Sequence, residues 1–144
     1  MSEQNKAVVR RLIEDHWNAK NSAIVSELFA PTVTIHTPDG VLNGLNGAST
    51  LLQAYATAFP DFRIITDDLV ADADKVAVRW TFNGTHRGPL ANIRASGNQV
   101  SLSNIVGIFR IADGKVNESH LCWDKYALLQ HVTRSAAHSS SVMG

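Results

Sequence analysis

Cysteine is almost absent from this sequence: Cys122 is the only one in 144 residues. That excludes an intrachain disulfide and any cysteine-rich zinc site. No apolar run approaches the roughly 20 residues that a membrane-spanning helix needs. Charge of one sign is also lacking, with 13 Lys and Arg against 13 Asp and Glu. Scattered, balanced charge argues against a nucleic-acid partner, which would want a basic face. There is no Gly-x-Gly-x-x-Gly, no phosphate loop and no Gly-x-Ser-x-Gly elbow, and Cys122 has no sequence-local partner that marks a nucleophile. The first residues, Met1 to Lys6, are polar and lack a signal-peptide core, so a cytoplasmic location is expected. The densest like-charge cluster (Asp67, Asp68, Asp72, Asp74) reads as a solvated strand-turn-strand edge.

What is present suits one soluble domain. The hydrophobic fraction is 44% and the charged fraction 18%, enough for a substantial core. Val8, Val9, Leu12, Ile13, His16 and Trp17 recur at helical spacing and predict an amphipathic helix over 3–19, with Ser2 as its cap. A short helix carrying Ile24, Val25, Leu28 and Phe29 follows, capped by Asn21 or Ser22 and ended by Pro31. Residues 33–37 read as a β-branched strand, and the Gly-containing stretch after Pro38 as an irregular loop. A third helix is expected over 48–59, with Leu51, Leu52, Tyr55 and Phe59 on its buried face. Four strands then follow, over 62–70, 75–85, 99–111 and 115–124, joined by turns that imply an antiparallel meander. Residues 1–134 form the domain, and the small polar tail 135–144 reads as disordered. The architecture expected is α+β: three N-terminal helices packed in a curved antiparallel sheet, with a blind pocket lined by Trp17, Phe29, Tyr55, Phe59, Trp80 and Phe82.

Several segments then fall into a known order. They are Phe59-Pro60-Asp61-Phe62-Arg63, the stretch Val76 to Leu90 with Gly84-Thr85-His86-Arg87-Gly88, the turn Arg110-Ile111-Ala112-Asp113-Gly114-Lys115, and Asp124 followed by Leu128, Leu129 and Gln130. In this order the chain resembles the SnoaL-like polyketide cyclases, over about residues 5–132. The resemblance implies the NTF2-like cone fold shared with ketosteroid isomerases and limonene-epoxide hydrolases. It implies a cofactor-free reaction in which an Asp near the end of the last strand acts as acid and base, at the position of Asp124. The His of the Gly-Thr-His-x-Gly loop matches His86, which would face the same cavity. The chain has His120 where the family often has Trp, Ala95-Ser96-Gly97 where it often has Pro-Thr-Gly, and Gln130-His131-Val132 in place of Gln-Leu-Gly.

The residues themselves allow the same chemistry. Side chains alternate along a strand, so Val116, Glu118, His120, Cys122 and Asp124 are expected on one face. A free Asp is too weak a base, at a pKa of about 3.9, and burial would raise it. Cys122, Trp80 and Phe82 are candidates for that apolar surrounding. The plainer reading of Asp124 is a strand-end residue capping the turn that follows. His86 is expected at the cavity mouth, and His120 about 13 Å from Asp124 along the strand. His36, on the early strand, is a further candidate. Asn104 is either an oxyanion donor or a structural clamp. Leu121 and Trp123 take the outer face, an apolar patch that predicts a homodimer or homotetramer.

These features favour cofactor-independent acid-base catalysis on a small hydrophobic, carbonyl-containing ligand of polyketide or terpenoid type, by aldol cyclisation or isomerisation. No nucleic acid, membrane or metal is expected, because His36, His86, His120 and Asp124 show no short ligand spacing. One alternative is a non-catalytic ligand-binding or scaffold module. Another is an epoxide hydrolase, which would need two carboxylates and an Arg converging on water; Arg79 has the wrong parity for it.

Overall fold

A computed structural model describes residues 2–134; the expectation for the tail falls outside them. The first helix, α1 (Ser2–Arg11), continues as a π-helical segment over Leu12–Asn18. Ser2 begins the helix rather than preceding it. The wide turn closes with Ala19 N–H donating to the Glu14 carbonyl, and Leu12, Ile13, His16 and Trp17 all point inward. Asn18 then pairs with the backbone of Ile64 in both directions, at 2.9 and 2.7 Å, which ties the helix to the sheet. The Asn21 side chain accepts the Ala23 N–H and caps a 3-10 turn. The expected second helix shrinks to one turn, α2 (Val25–Leu28), because Phe29 already begins strand β1 (Phe29–Thr37).

The stretch expected as a loop contains a short strand, β2 (Gly40–Asn43), that hairpins onto β1. Helix α3 (Gly44–Ala58) follows directly. The remaining strands are β3 (Arg63–Asp72), β4 (Lys75–Thr85), β5 (Gln99–Ala112) and β6 (Lys115–Cys122), and helix α4 (Lys125–Thr133) closes the described chain. The sheet order is β2-β1-β6-β5-β4-β3. The last four strands form the antiparallel meander that their short turns predict. The sheet is not antiparallel throughout, however: β1 lies parallel to β6. Its pairing is interrupted between Phe29 and Thr34, where Pro31 has no N–H to give.

The sheet curves around α1, its π-helical extension and α3. One hydrophobic core joins the concave sheet face to these helices, with Val9, Leu12, Phe59, Val76, Val78, Phe109 and Val116 fully or almost fully buried. Gly107 lets the sheet come close to its own side chains. A Cβ there would sit 2.8 Å from the Trp80 ring and 2.9 Å from Phe109.

Two bulges decide which side chains enter the cone. In β5, two residues (Ser103 and Asn104) sit opposite Thr81 alone, and Asn104 takes φ +59°, a conformation Asn tolerates better than most residues. In β6, Asn117 is the extra residue between the pairs Ile111–Val116 and Arg110–Glu118. A bulge shifts the alternation by one and turns every later side chain to the other face. Ile105, Gly107 and Phe109 therefore face inward from β5, with Val106 and Ile108 outward. From β6, Ser119 and Leu121 face inward, with His120 and Cys122 outward.

Candidate functional site

An apolar cavity of about 80 Å³ lies between α3 and the concave sheet. Trp17, Leu52, Phe62, Ile64, Trp80, Phe82, Leu102, Ile105, Leu121 and Leu128 form its walls, and half-buried Leu51, Tyr55 and Trp123 stand on its solvent side. Its exposed lining is apolar throughout. All three tryptophans of the sequence are in it. Trp17 and Trp80 pack with ring centroids 5.5 Å apart, and Tyr55 meets Trp123 edge-on at 5.7 Å. Burial, helped by the negative charge of Asp39, pushes the Tyr55 phenol well above its ordinary range. Tyr55 therefore remains a neutral donor. The Trp123 indole N–H is buried with no hydrogen-bond partner among the described residues.

Of the expected cavity residues, Trp17, Tyr55, Trp80 and Phe82 are in place. Phe29 is not, being buried against His16 at 5.7 Å, and Phe59 is one layer behind: it is fully buried and packs on Phe82 at 5.1 Å and on His86 at 5.5 Å. The polar candidates lie elsewhere. Asp124 is exposed on the far side of the bulge and caps α4, its Oδ1 accepting the Ala127 N–H at 2.9 Å. This is the plainer of the two readings its sequence position allows. Cys122 is exposed on the convex face. His120 shares that face and stacks on His36, not on anything in the cone. Asn104 is also outside, where its side chain accepts from Arg79 at 3.4 Å. Arg79 in turn bonds Asp68 at 2.8 Å, so the acidic cluster is a solvated edge with its own counter-charge.

His86 is fully buried, but not in the cavity. β4 ends at Thr85, so strand alternation no longer places the next side chain. The Ser96 N–H donates to His86 Nδ1 at 3.1 Å, with Ser96 Oγ 2.9 Å away. Backbone bonds from His86 to Asn98 and from Gly97 to His86 complete the clamp. Burial lowers its pKa, offset in part by the Gly88 carbonyl, which keeps the ring neutral. His86 and Ser96 thus hold the loop 86–98 closed on itself.

Leu121 and Trp123, expected on the outer face, are cavity walls. Leu102, Ile105, Phe62, Ile64 and Leu128 complete the lining that alternation alone does not assign. The one local clue to the first bulge is Asn104 itself, a polar residue of αL tolerance in an apolar strand. Among the described residues, no carboxylate or arginine lines the cavity, so the constellation required for epoxide hydrolysis is not assembled there.

The curved sheet, the helices packed into its concave face and the apolar cavity between them define a cone of the NTF2-like class. Within that class the sequence matches the SnoaL-like polyketide cyclase family over residues 7–132. The chain belongs to that family. The fold is similar to that of a protein from Jannaschia sp. CCS1 assigned to the SnoaL-like polyketide cyclases, at TM-score 0.85 and 23% identity, covering 92% of this chain and 93% of that one. TsrD from Streptomyces laurentii is 28% identical at TM-score 0.77, with 88% and 96% covered. AclR from Streptomyces galilaeus, assigned as a hydroxylase, is 24% identical at TM-score 0.80, with 92% and 97% covered. No curated protein sequence matches the chain. Among the described residues, no helix is long and apolar enough to cross a membrane.

Proposed function

We propose that the chain binds a small, largely apolar ligand carrying a carbonyl group, held in the cone between α3 and the concave sheet. The observation that supports this is the cavity itself, an apolar space walled by aromatic and branched side chains. Such sites bind by shape and orient by a few polar groups. Tyr55 and Trp123 carry the neutral donors of the lining, but neither polar atom is exposed to the cavity, so a ligand reaches them only as these half-buried side chains shift. A carbonyl oxygen that reached the Trp123 N–H would satisfy a buried donor that has no partner among the described residues. At about 80 Å³ the cavity is smaller than the roughly 150 Å³ that holds a benzene ring. A cyclic ligand therefore enters by displacing half-buried Leu51, Tyr55 or Trp123.

Aldol cyclisation or isomerisation at this site would need a proton acceptor within reach of the ligand. Asp124, His86 and His120 lie outside the cavity, so the binding reading is favoured over catalysis by those residues. Tyr55 is the one ionisable group in the lining, and it is a donor, suited to polarising a carbonyl rather than to removing a proton.

Because all three tryptophans line the cavity, intrinsic fluorescence is the direct assay. Aromatic and terpenoid ketones, titrated beside hydrocarbons of matching shape, are expected to quench it saturably. The ketones should bind about tenfold tighter, the worth of one hydrogen bond. Tyr55→Phe should shrink that advantage, and Leu102→Trp, which fills the cavity, should remove binding with the circular dichroism unchanged. No saturable response at millimolar ligand, or a response indifferent to Leu102→Trp, overturns the proposal.

A further inference from the structure

The convex face of the sheet, opposite the cavity, carries a second group of functional side chains. His36 on β1 lies directly across from His120 on β6. Their rings stack with centroids 4.1 Å apart and planes 3° from parallel. Glu118, two residues before His120 and on the same face, places Oε2 3.4 Å from His36 Nε2. That contact has the distance of a charge pair but not the alignment of a hydrogen bond, for His36 Nε2 is shielded from solvent and has no hydrogen-bond partner among the described residues. One ligand atom from each of the three residues lies within 4.8 Å of the others.

We propose that His36, Glu118 and His120 form a surface site for a divalent transition-metal ion of the zinc, copper or nickel group. Two imidazoles and a carboxylate are the donor set these borderline ions take. Metal bonds of about 2.0–2.2 Å place the donors of a tetrahedral ion roughly 3.4 Å apart. The atoms here close to that spacing by side-chain rotation, with the backbone left in place. The framework is already rigid: the two histidines are held opposite each other by the parallel β1–β6 ladder, and Glu118 follows the bulge at Asn117. Arg110 contacts the other carboxylate oxygen, Oε1, at 3.8 Å and is shared with Asp74 at 3.9 Å, which leaves Oε2 toward the imidazoles. Three protein donors leave the fourth position of a tetrahedral ion open on the convex face, beside Ile108, to water or to a donor from a second copy of the chain. The sequence offers His36 and His120 only beside His86 and Asp124; Glu118 is 82 positions from His36, and it is the parallel pairing of β1 with β6 that brings the three together.

The test is isothermal titration of ZnCl₂ into the chelator-stripped, untagged full chain. One ion per chain at micromolar affinity is expected. His36→Ala and His120→Ala should each weaken binding at least tenfold, and Glu118→Gln several-fold, whereas Cys122→Ser and His131→Ala should leave it unchanged. Should an alanine variant fail to fold, histidine-ring NMR of the natural chain decides, with two imidazole signals shifting on zinc addition. Absence of saturable binding below millimolar zinc overturns the site. So does binding that survives in the His36 and His120 variants but is lost with Cys122→Ser or His131→Ala.

Discussion

Leu121 and Cys122 are adjacent in sequence, and the bulge at Asn117 decides which of them is structural. Simple alternation from Val116 would put Cys122 inside and Leu121 outside; the structure reverses them, with Leu121 7% exposed and Cys122 open to solvent. Truncating Leu121 to Ala removes three buried carbons, about 2.4 kcal/mol at roughly 0.8 kcal/mol per methylene. The void adjoins the existing cavity of about 80 Å³, so the walls cannot simply collapse onto it. A cavity term brings the expected loss to about 3 kcal/mol, inside the range of buried Leu→Ala changes. At a urea m-value of about 2 kcal/mol/M, the unfolding midpoint should fall by about 1.5 M. Cys122→Ala should lie within about 0.5 kcal/mol of the natural chain, as exposed substitutions do. Urea titration followed by tryptophan fluorescence reads both. A Leu121→Ala variant as stable as the natural chain, with Cys122→Ala losing several kcal/mol, would refute the bulge and restore Asp124 to the cavity side.

Asp124→Ala should cost about 1 kcal/mol through loss of the α4 cap, and Asp124→Asn only a few tenths, with ketone affinity unchanged in both. A turnover assay in which Asp124→Asn alone abolished product formation at unchanged stability would falsify the capping role as its main one. Acid should destabilise the fold through His16 and His86. Burial lowers both pKa values, offset for His16 by the Asn21 carbonyl and for His86 by that of Gly88. Below pH 6.5, the ordinary histidine value, the unfolded chain binds protons that the native rings refuse. The stability present above pH 6.5 is thus lost as pH falls below it, and the loss levels off beneath the depressed folded values. A melting temperature constant from pH 7 to 5 would contradict this. Self-association remains our proposal, with a changed basis: Leu121 and Trp123 point inward, so the apolar contacts on the convex face are Val106 and Ile108, 39% and 43% exposed. Light scattering should show a dimer or larger, and Ile108→Lys should shift it toward the 15.7 kDa chain; a natural chain that is monomeric at all concentrations would remove the proposal.

Much of the architecture was legible because it rests on local periodicity. The helical spacing of Val8 to Trp17 (whose second half winds as a π-helix), the alternation of Val76, Val78, Trp80 and Phe82, and the turns at Asp72–Asp74 and Asp113-Gly114 each indicate their element without reference to the rest of the chain. The same residues placed Trp17, Tyr55, Trp80 and Phe82 in one cavity, since large apolar side chains on facing elements have nowhere else to go. Identification with the family likewise came from contiguous motifs. The parallel β1–β6 pairing did not, because no local signal states which strand a terminal strand will join.

The chemistry of the site depended on something weaker than a motif. A strand has period two, so a single unpaired residue moves every later side chain to the opposite face. Asn117 and the Ser103–Asn104 pair are such insertions; Asn104 marks the first as a polar residue in an apolar strand, whereas nothing in the composition around Asn117 marks the second. The hydrophobic pattern around β6 could be read in either register: Cys122 and Val116 supported one, Leu121 and Trp123 the other. The sequence by itself therefore determined the cone, its first and third helices in outline and most of its aromatic walls. Only the tertiary structure decided that Asp124, His120 and Cys122 stand outside it, because the alternation of a strand is local while the place where it slips is set by the partner strand.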